Sequence, residues 1–89
     1  PSIVGGGANA CVLHYVANAD VLRDADLVLI DAGCEYQHYA SDITRTFPVN
    51  GRFSAPQQAL YEIVLEANRQ AIASCRPGVH FRTPHETAV

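Results

Sequence analysis

The chain has 89 residues, a hydrophobic fraction of 48% and a formal net charge of -3. That composition is globular and lacks the basic footprint of a nucleic-acid binder. No run of about 20 apolar residues exists, so no helix of this chain is expected to span a membrane.

Ile3-Val4 reads as a short extended piece, Gly5-Gly-Gly-Ala-Asn9 as a flexible turn, and Cys11-Val-Leu-His-Tyr15 as a second extended piece. The triple glycine is not a phosphate loop, because no Gly-Lys-Ser/Thr ending follows. Residues Asn18 to Asp26 form a polar connection, with Asp24 and Asp26 as turn and strand-entry residues. The three cysteines, Cys11, Cys34 and Cys75, make no zinc or redox spacing. Each is expected to be a buried thiol, and a reduced cytoplasmic setting is the default.

Leu27-Val-Leu-Ile-Asp-Ala-Gly33 and Ala40-Ser-Asp-Ile-Thr-Arg-Thr-Phe47 read as two antiparallel strands. The first is apolar on both faces, as a strand covered on both sides would be. Asp31 and Asp42 sit inside these strands. A carboxylate in such a setting loses hydration and needs a paired charge or a metal to stay ionised. A turn at Tyr36-Gln37 places the two aspartates directly opposite each other, with Cβ atoms roughly 5 Å apart. Like charges that close do not both ionise cheaply, and divalent cations remove the conflict. Gly33 is a bulge or bend in this reading. Ala40, Asp42, Thr44 and Thr46 share one small, polar face, and Tyr39, Ser41, Ile43, Arg45 and Phe47 share the other. The plainer alternative leaves one or both aspartates at a solvated sheet edge or turn.

Pro48-Val-Asn-Gly51 closes the second strand. Ser54 and Gln57 form a capping box that starts a helix, with Leu60, Ile63, Val64, Ala67 and Ala71 as a core-facing stripe and Pro77-Gly78 as its end. Thr83 reads as an N-cap, with Pro84 at the first helical position and Glu86 completing a second capping box. That helix opens as the chain ends, and no initiating Met is present, so the chain reads as a segment of something larger. A hairpin-rich sheet followed by a covering helix is an α+β signature.

Leu13-His-Tyr15, Asp26-Leu-Val-Leu-Ile-Asp-Ala-Gly33 and Tyr39-Ala-Ser-Asp-Ile-Thr-Arg-Thr-Phe-Pro-Val-Asn-Gly-Arg-Phe53 resemble the Xaa-Pro aminopeptidases (aminopeptidase P), with prolidase a close relative. The resemblance is strong from Ile3 to Phe53 and weaker through Pro77-Gly78. It implies part of a pita-bread fold, a curved antiparallel sheet backed by helices around a dinuclear metal centre. Residues 1–89 would then be a partial segment of a single catalytic domain. The family's N-terminal domain and the C-terminal part of the catalytic domain lie outside it.

The resemblance further implies two divalent metal ions, usually manganese (Mn2+). Asp31 would chelate one and Asp42 would bridge both. A water or hydroxide shared by the ions would attack the bond preceding proline. His14 would lie near the metals without ligating them, and contact substrate or help move a proton; on residues alone it reads as a histidine satisfied inside a strand. Thr44 would hydrogen-bond a ligand carboxylate. Arg45 reads as structural, and His38, His80 and His85 as turn or surface residues.

The family's other ligands, one His and two Glu, lie farther along, so the segment alone is expected to be inactive. Ala25 and Ser41 stand where the family commonly has glycine. The partners implied are peptides with proline in second position, and a homo-oligomer at full length, with neither nucleic acid nor membrane. Prolidase, which cleaves only dipeptides, and a metal-free pita-bread protein-binding module are the competing readings. Creatinase-type enzymes share the fold without metal, and the two aspartates argue against them.

Overall fold

The structure, a computed structural model, describes residues 1–89. It comprises two units, Pro1–Phe53 and Ser54–Val89. The first carries five strands: β1 (Ile3–Gly6), β2 (Leu27–Ala32), β3 (Glu35–Tyr36), β4 (Tyr39–Ala40) and β5 (Ile43–Pro48). The second carries two helices, α1 (Ala55–Ala73) and α2 (Thr83–Ala88). The architecture is α+β, as the chain's pattern predicts.

In the first unit β2 is central, antiparallel to β1 on one side and to β5 on the other. Its Val-Leu-Ile run suits that place, because a central strand is covered along both edges. Val28 is the most buried side chain of the chain, at 2% exposure. The rest of β2 is half-buried.

The predicted flexible turn at Gly5 to Asn9 is corrected. Gly5 and Gly6 belong to β1, and Gly7–Cys11 forms a 3-10 helix. Gly5 is buried, and a Cβ there would come within 3.0 Å of the backbone of Asn9 and Ala10. The close return of the 3-10 helix over β1 is what demands glycine. Cys11 to Tyr15 is not a second strand either: the helix runs into a turn at Leu13-His14.

β3 and β4 form a small hairpin closed by Gln37-His38, both at positive φ (50° and 70°). Two left-handed residues are the signature of a type I′ turn, whose twist matches that of the flanking strands. Pro48 closes β5, and the Gly51 amide turns back onto its carbonyl at 3.1 Å.

α1 starts as its sequence predicts. The Ser54 hydroxyl accepts from the Gln57 amide at 3.3 Å, and the Gln57 side chain accepts from the Ser54 amide at 2.9 Å. The helix ends at Ala73, before Pro77-Gly78. There the Ser74 hydroxyl donates to the Ala71 carbonyl at 2.6 Å, satisfying a terminal acceptor.

The core-facing stripe is only partly met. Leu60, Ile63 and Val64 are 64%, 68% and 61% exposed, whereas Ala67 and Ala71 are half-buried. The short α2 is the one element packed on α1 within its unit, and six residues cover little of a 19-residue helix. The second capping box is also corrected. Arg82 is the N-cap and Thr83 is already helical. Glu86 pairs with Arg82 at 3.7 Å instead of reaching back to an amide. All three cysteines are exposed free thiols, not buried ones.

Ala25 adopts φ +68°, which explains why glycine suits the position before the strand-entry Asp26. A left-handed L-residue costs about 1–2 kcal/mol. Ala25→Gly is therefore expected to stabilise the protein by about 1 kcal/mol, read as a higher urea midpoint at unchanged slope.

Candidate metal centre

The register of β2 against β5 sets the site. Asp31 lies directly opposite Thr44, and on its other side opposite Ile3 of β1. The hairpin turn sits at Gln37-His38, one residue later than predicted, so the pairing is displaced by two residues. Asp31 and Asp42 are consequently not a directly opposed pair. Asp42 itself lies in the break between β4 and β5, just before the paired residues begin at Ile43.

A break in the ladder shapes the approach. The predicted single strand from Ala40 to Phe47 is two strands, β4 and β5, separated by Ser41-Asp42. Opposite Ser41, the Cys34 carbonyl accepts from the Ser41 amide at 2.8 Å. The Cys34 amide, however, donates to the Ser41 hydroxyl at 3.0 Å and not to its carbonyl. The Ser41 carbonyl is turned over Gly33 instead, where a Cβ would overlap its oxygen and stand 2.8 Å from its carbon. The same Cβ would meet Cα of Asp42 at 3.3 Å. Gly33 is thus the close crossing of the two chains, as its reading as a bend or bulge anticipates. The role of the Ser41 hydroxyl as a rung was not legible in the sequence, where Ser41 reads only as a small residue.

Asp31 is half-buried and Asp42 is exposed. Neither forms an ion pair with the chain's arginines. Arg45 is turned to the backbone, donating from Nη1 to the Thr44 carbonyl at 2.8 Å. Carboxylates with no protein cation beside them suit hard divalent ions, which prefer oxygen donors. The set within this chain is short: no three His, Cys, Asp or Glu side chains gather closely enough to hold a metal.

His14 does not complete such a set. It is not in a strand, as the residue-only reading has it, but exposed in a turn at φ +55°. His38 occupies the hairpin turn, and His80 and His85 are exposed. A residue the sequence reading passed over is Asn18, at φ +49° in the polar connection. Its amide bonds the β1 backbone at two points, accepting from Val4 N–H at 3.0 Å and donating to the Ser2 carbonyl at 2.9 Å. The available signal was modest: asparagine tolerates the left-handed region better than most residues.

Gly33→Ala is expected to destabilise the protein by about 3 kcal/mol, because the added Cβ must displace backbone. It should also weaken divalent-metal binding, since the backbone it displaces carries Asp42. Chemical denaturation and metal titration check the two effects together.

Comparisons with known proteins identify the family. Residues 1–89 match metallopeptidase family M24. The chain is 56% identical over 88 residues to the Xaa-Pro aminopeptidase of Haemophilus influenzae, covering 99% of this chain and 20% of that protein. The solved structure of Pseudomonas aeruginosa aminopeptidase PepP superposes at a TM-score of 0.94 with 59% identity, over 98% of this chain and 20% of that one. A glutamate-to-alanine variant of Escherichia coli aminopeptidase P, solved in complex with substrate, superposes at 0.92 with 52% identity and the same coverage. The chain thus spans about a fifth of the length of these relatives. With a match along its whole length and the aminopeptidase P fold in its strands and helices, it belongs to metallopeptidase family M24.

Proposed function

We propose that this chain is part of a dinuclear metal-dependent Xaa-Pro aminopeptidase, which releases an N-terminal residue from peptides with proline in second position. The observation that carries the reading is the match to relatives named Xaa-Pro aminopeptidases, in a chain with Asp31 in β2 and Asp42 at the entry to its partner strand β5. By the family resemblance, Asp31 would hold one divalent ion and Asp42 would be shared between two; manganese is among the ions that suit such hard oxygen donors. When bound, such a pair supplies polarisation of the scissile carbonyl and a lowered pKa for the attacking water.

The chain's own residues do the rest. Thr44, opposite Asp31, orients its carboxylate. His14 contacts substrate or moves a proton from its exposed turn. The remaining ligands, one His and two Glu by the family resemblance, would come from beyond Val89, so the segment alone is inactive. The same resemblance carries homo-oligomeric assembly of the full-length enzyme. A cytoplasmic setting is supported by three cysteines that form no disulfide. No helix is long and apolar enough to cross a membrane.

In the full-length enzyme Asp42→Asn is expected to lower hydrolysis of an Xaa-Pro peptide by at least about 100-fold while circular dichroism stays native. Full activity in that variant would refute the bridging role. His14→Ala should reduce kcat by about 100-fold with bound metal retained; a matching loss of metal, measured by atomic emission, would make it a ligand instead.

A further inference from the structure

The loop that carries His14 is held to the sheet by side chains outside the acidic pair, and one of them sets its level. In β1, Ile3 and Gly5 pair with Asp31 and Leu29 of β2. Val4 pairs with Ile30 in the same register, and its N–H, like the Ser2 carbonyl, is met by Asn18 on the outer side of β1. An edge of this kind presents one donor and one acceptor without a strand to meet them. The Asn18 amide answers both: Oδ1 accepts from Val4 N–H at 3.0 Å, and Nδ2 donates to the Ser2 carbonyl at 2.9 Å. It takes the place of a peptide group in a neighbouring strand.

Ser2 and Val4 flank Ile3, and Ile3 is the partner of Asp31, which is the partner of Thr44. Asn18, Ile3, Asp31 and Thr44 thus form one transverse row across the sheet. Strand spacing puts Asn18 about 10 Å from the Asp31 backbone along that row.

A second grip fixes the rest of the loop. Asn9, in the 3-10 helix, donates from Nδ2 to Asp20 at 2.7 Å and to the Tyr15 hydroxyl at 3.2 Å. His14 immediately precedes Tyr15, and both His14 and Asn18 are left-handed, at φ +55° and +49°. The backbone between them is bent at both ends and pinned on both sides.

We propose that Asn18 is a positioning residue for His14: its amide locks the His14 loop to the sheet edge at the level of Asp31, so that the imidazole meets the substrate held over Asp31 and Asp42. This rests on the functional reading given above. Asn18 does not touch the reacting atoms; it acts through His14.

The test is a double-mutant cycle in the full-length manganese enzyme, with an Xaa-Pro peptide as substrate. Asn18→Gly removes the amide while accepting the left-handed backbone without strain. The expected result is a fall in kcat of about tenfold or more, with KM and bound manganese unchanged. In a His14→Ala background the same substitution should cost less than about twofold, because residues acting as a unit are not additive. Asn18→Asp, which keeps the acceptor but loses the donor, should fall between. Wild-type turnover in Asn18→Gly, or equal losses with and without His14, would overturn the proposal while leaving the role of His14 intact. Wild-type turnover in His14→Ala alone would overturn that role and this inference with it. Failure of both Asn18 variants to fold would make Asn18 a structural residue and overturn the proposal as well.

Discussion

The Ser41 carbonyl lies so close over Gly33 that no side chain fits between the two chain segments, and the place of the Asp42 backbone follows from that contact. Turning the carbonyl inward removes the normal acceptor for the Cys34 amide, and the Ser41 hydroxyl replaces it at 3.0 Å. An amide left without a partner would be costly. The substitution of a hydroxyl for a carbonyl lets the ladder break while its hydrogen bonds stay satisfied. Beyond the break β5 resumes in the same register, with Thr44 against Asp31. Asp42 is carried on the backbone of the crossing itself.

The same economy governs the opposite edge of the sheet. β1 is short, and its outer polar groups are met by a side-chain amide and not by a further strand. The His14 turn, the 3-10 helix and the strand edge are tied by Asn9, Tyr15, Asn18 and Asp20, of which Asn9 and Tyr15 are half-buried and Asn18 and Asp20 exposed. Such bonds contribute little each to global stability. Their value is geometric, in fixing a loop that has no apolar anchor: Leu13 beside His14 is 90% exposed.

Much of this was legible in the residues. The β2 run, the Pro48 stop and the Ser54–Gln57 capping box are local patterns with local causes, and the structure keeps all three. The antiparallel pairing of β2 with β5 was also legible, although its register was not. Gln37-His38 forms a left-handed turn without Asn or Gly, so the usual chemical marker of a type I′ turn is missing. A turn displaced by one residue moves the pairing by two. The exposure of Leu60, Ile63 and Val64, and of the three cysteines, was not legible, because periodicity reports which face is apolar and not whether this chain supplies a cover.

The order of residues alone determined that the apolar run of β2 would be a strand, since a run of Val, Leu and Ile suits a covered strand. It also determined where α1 begins, because a cap is made within four residues. Only the folded chain decided that Asp31 faces Thr44, that a serine hydroxyl closes the broken ladder, and that Asn18 rather than a strand completes the edge beside Ile3. Each of these depends on groups brought together across 7 to 16 positions of sequence. Whether a hydrogen bond forms over such a span is settled by the competition among all the partners that the fold brings within reach.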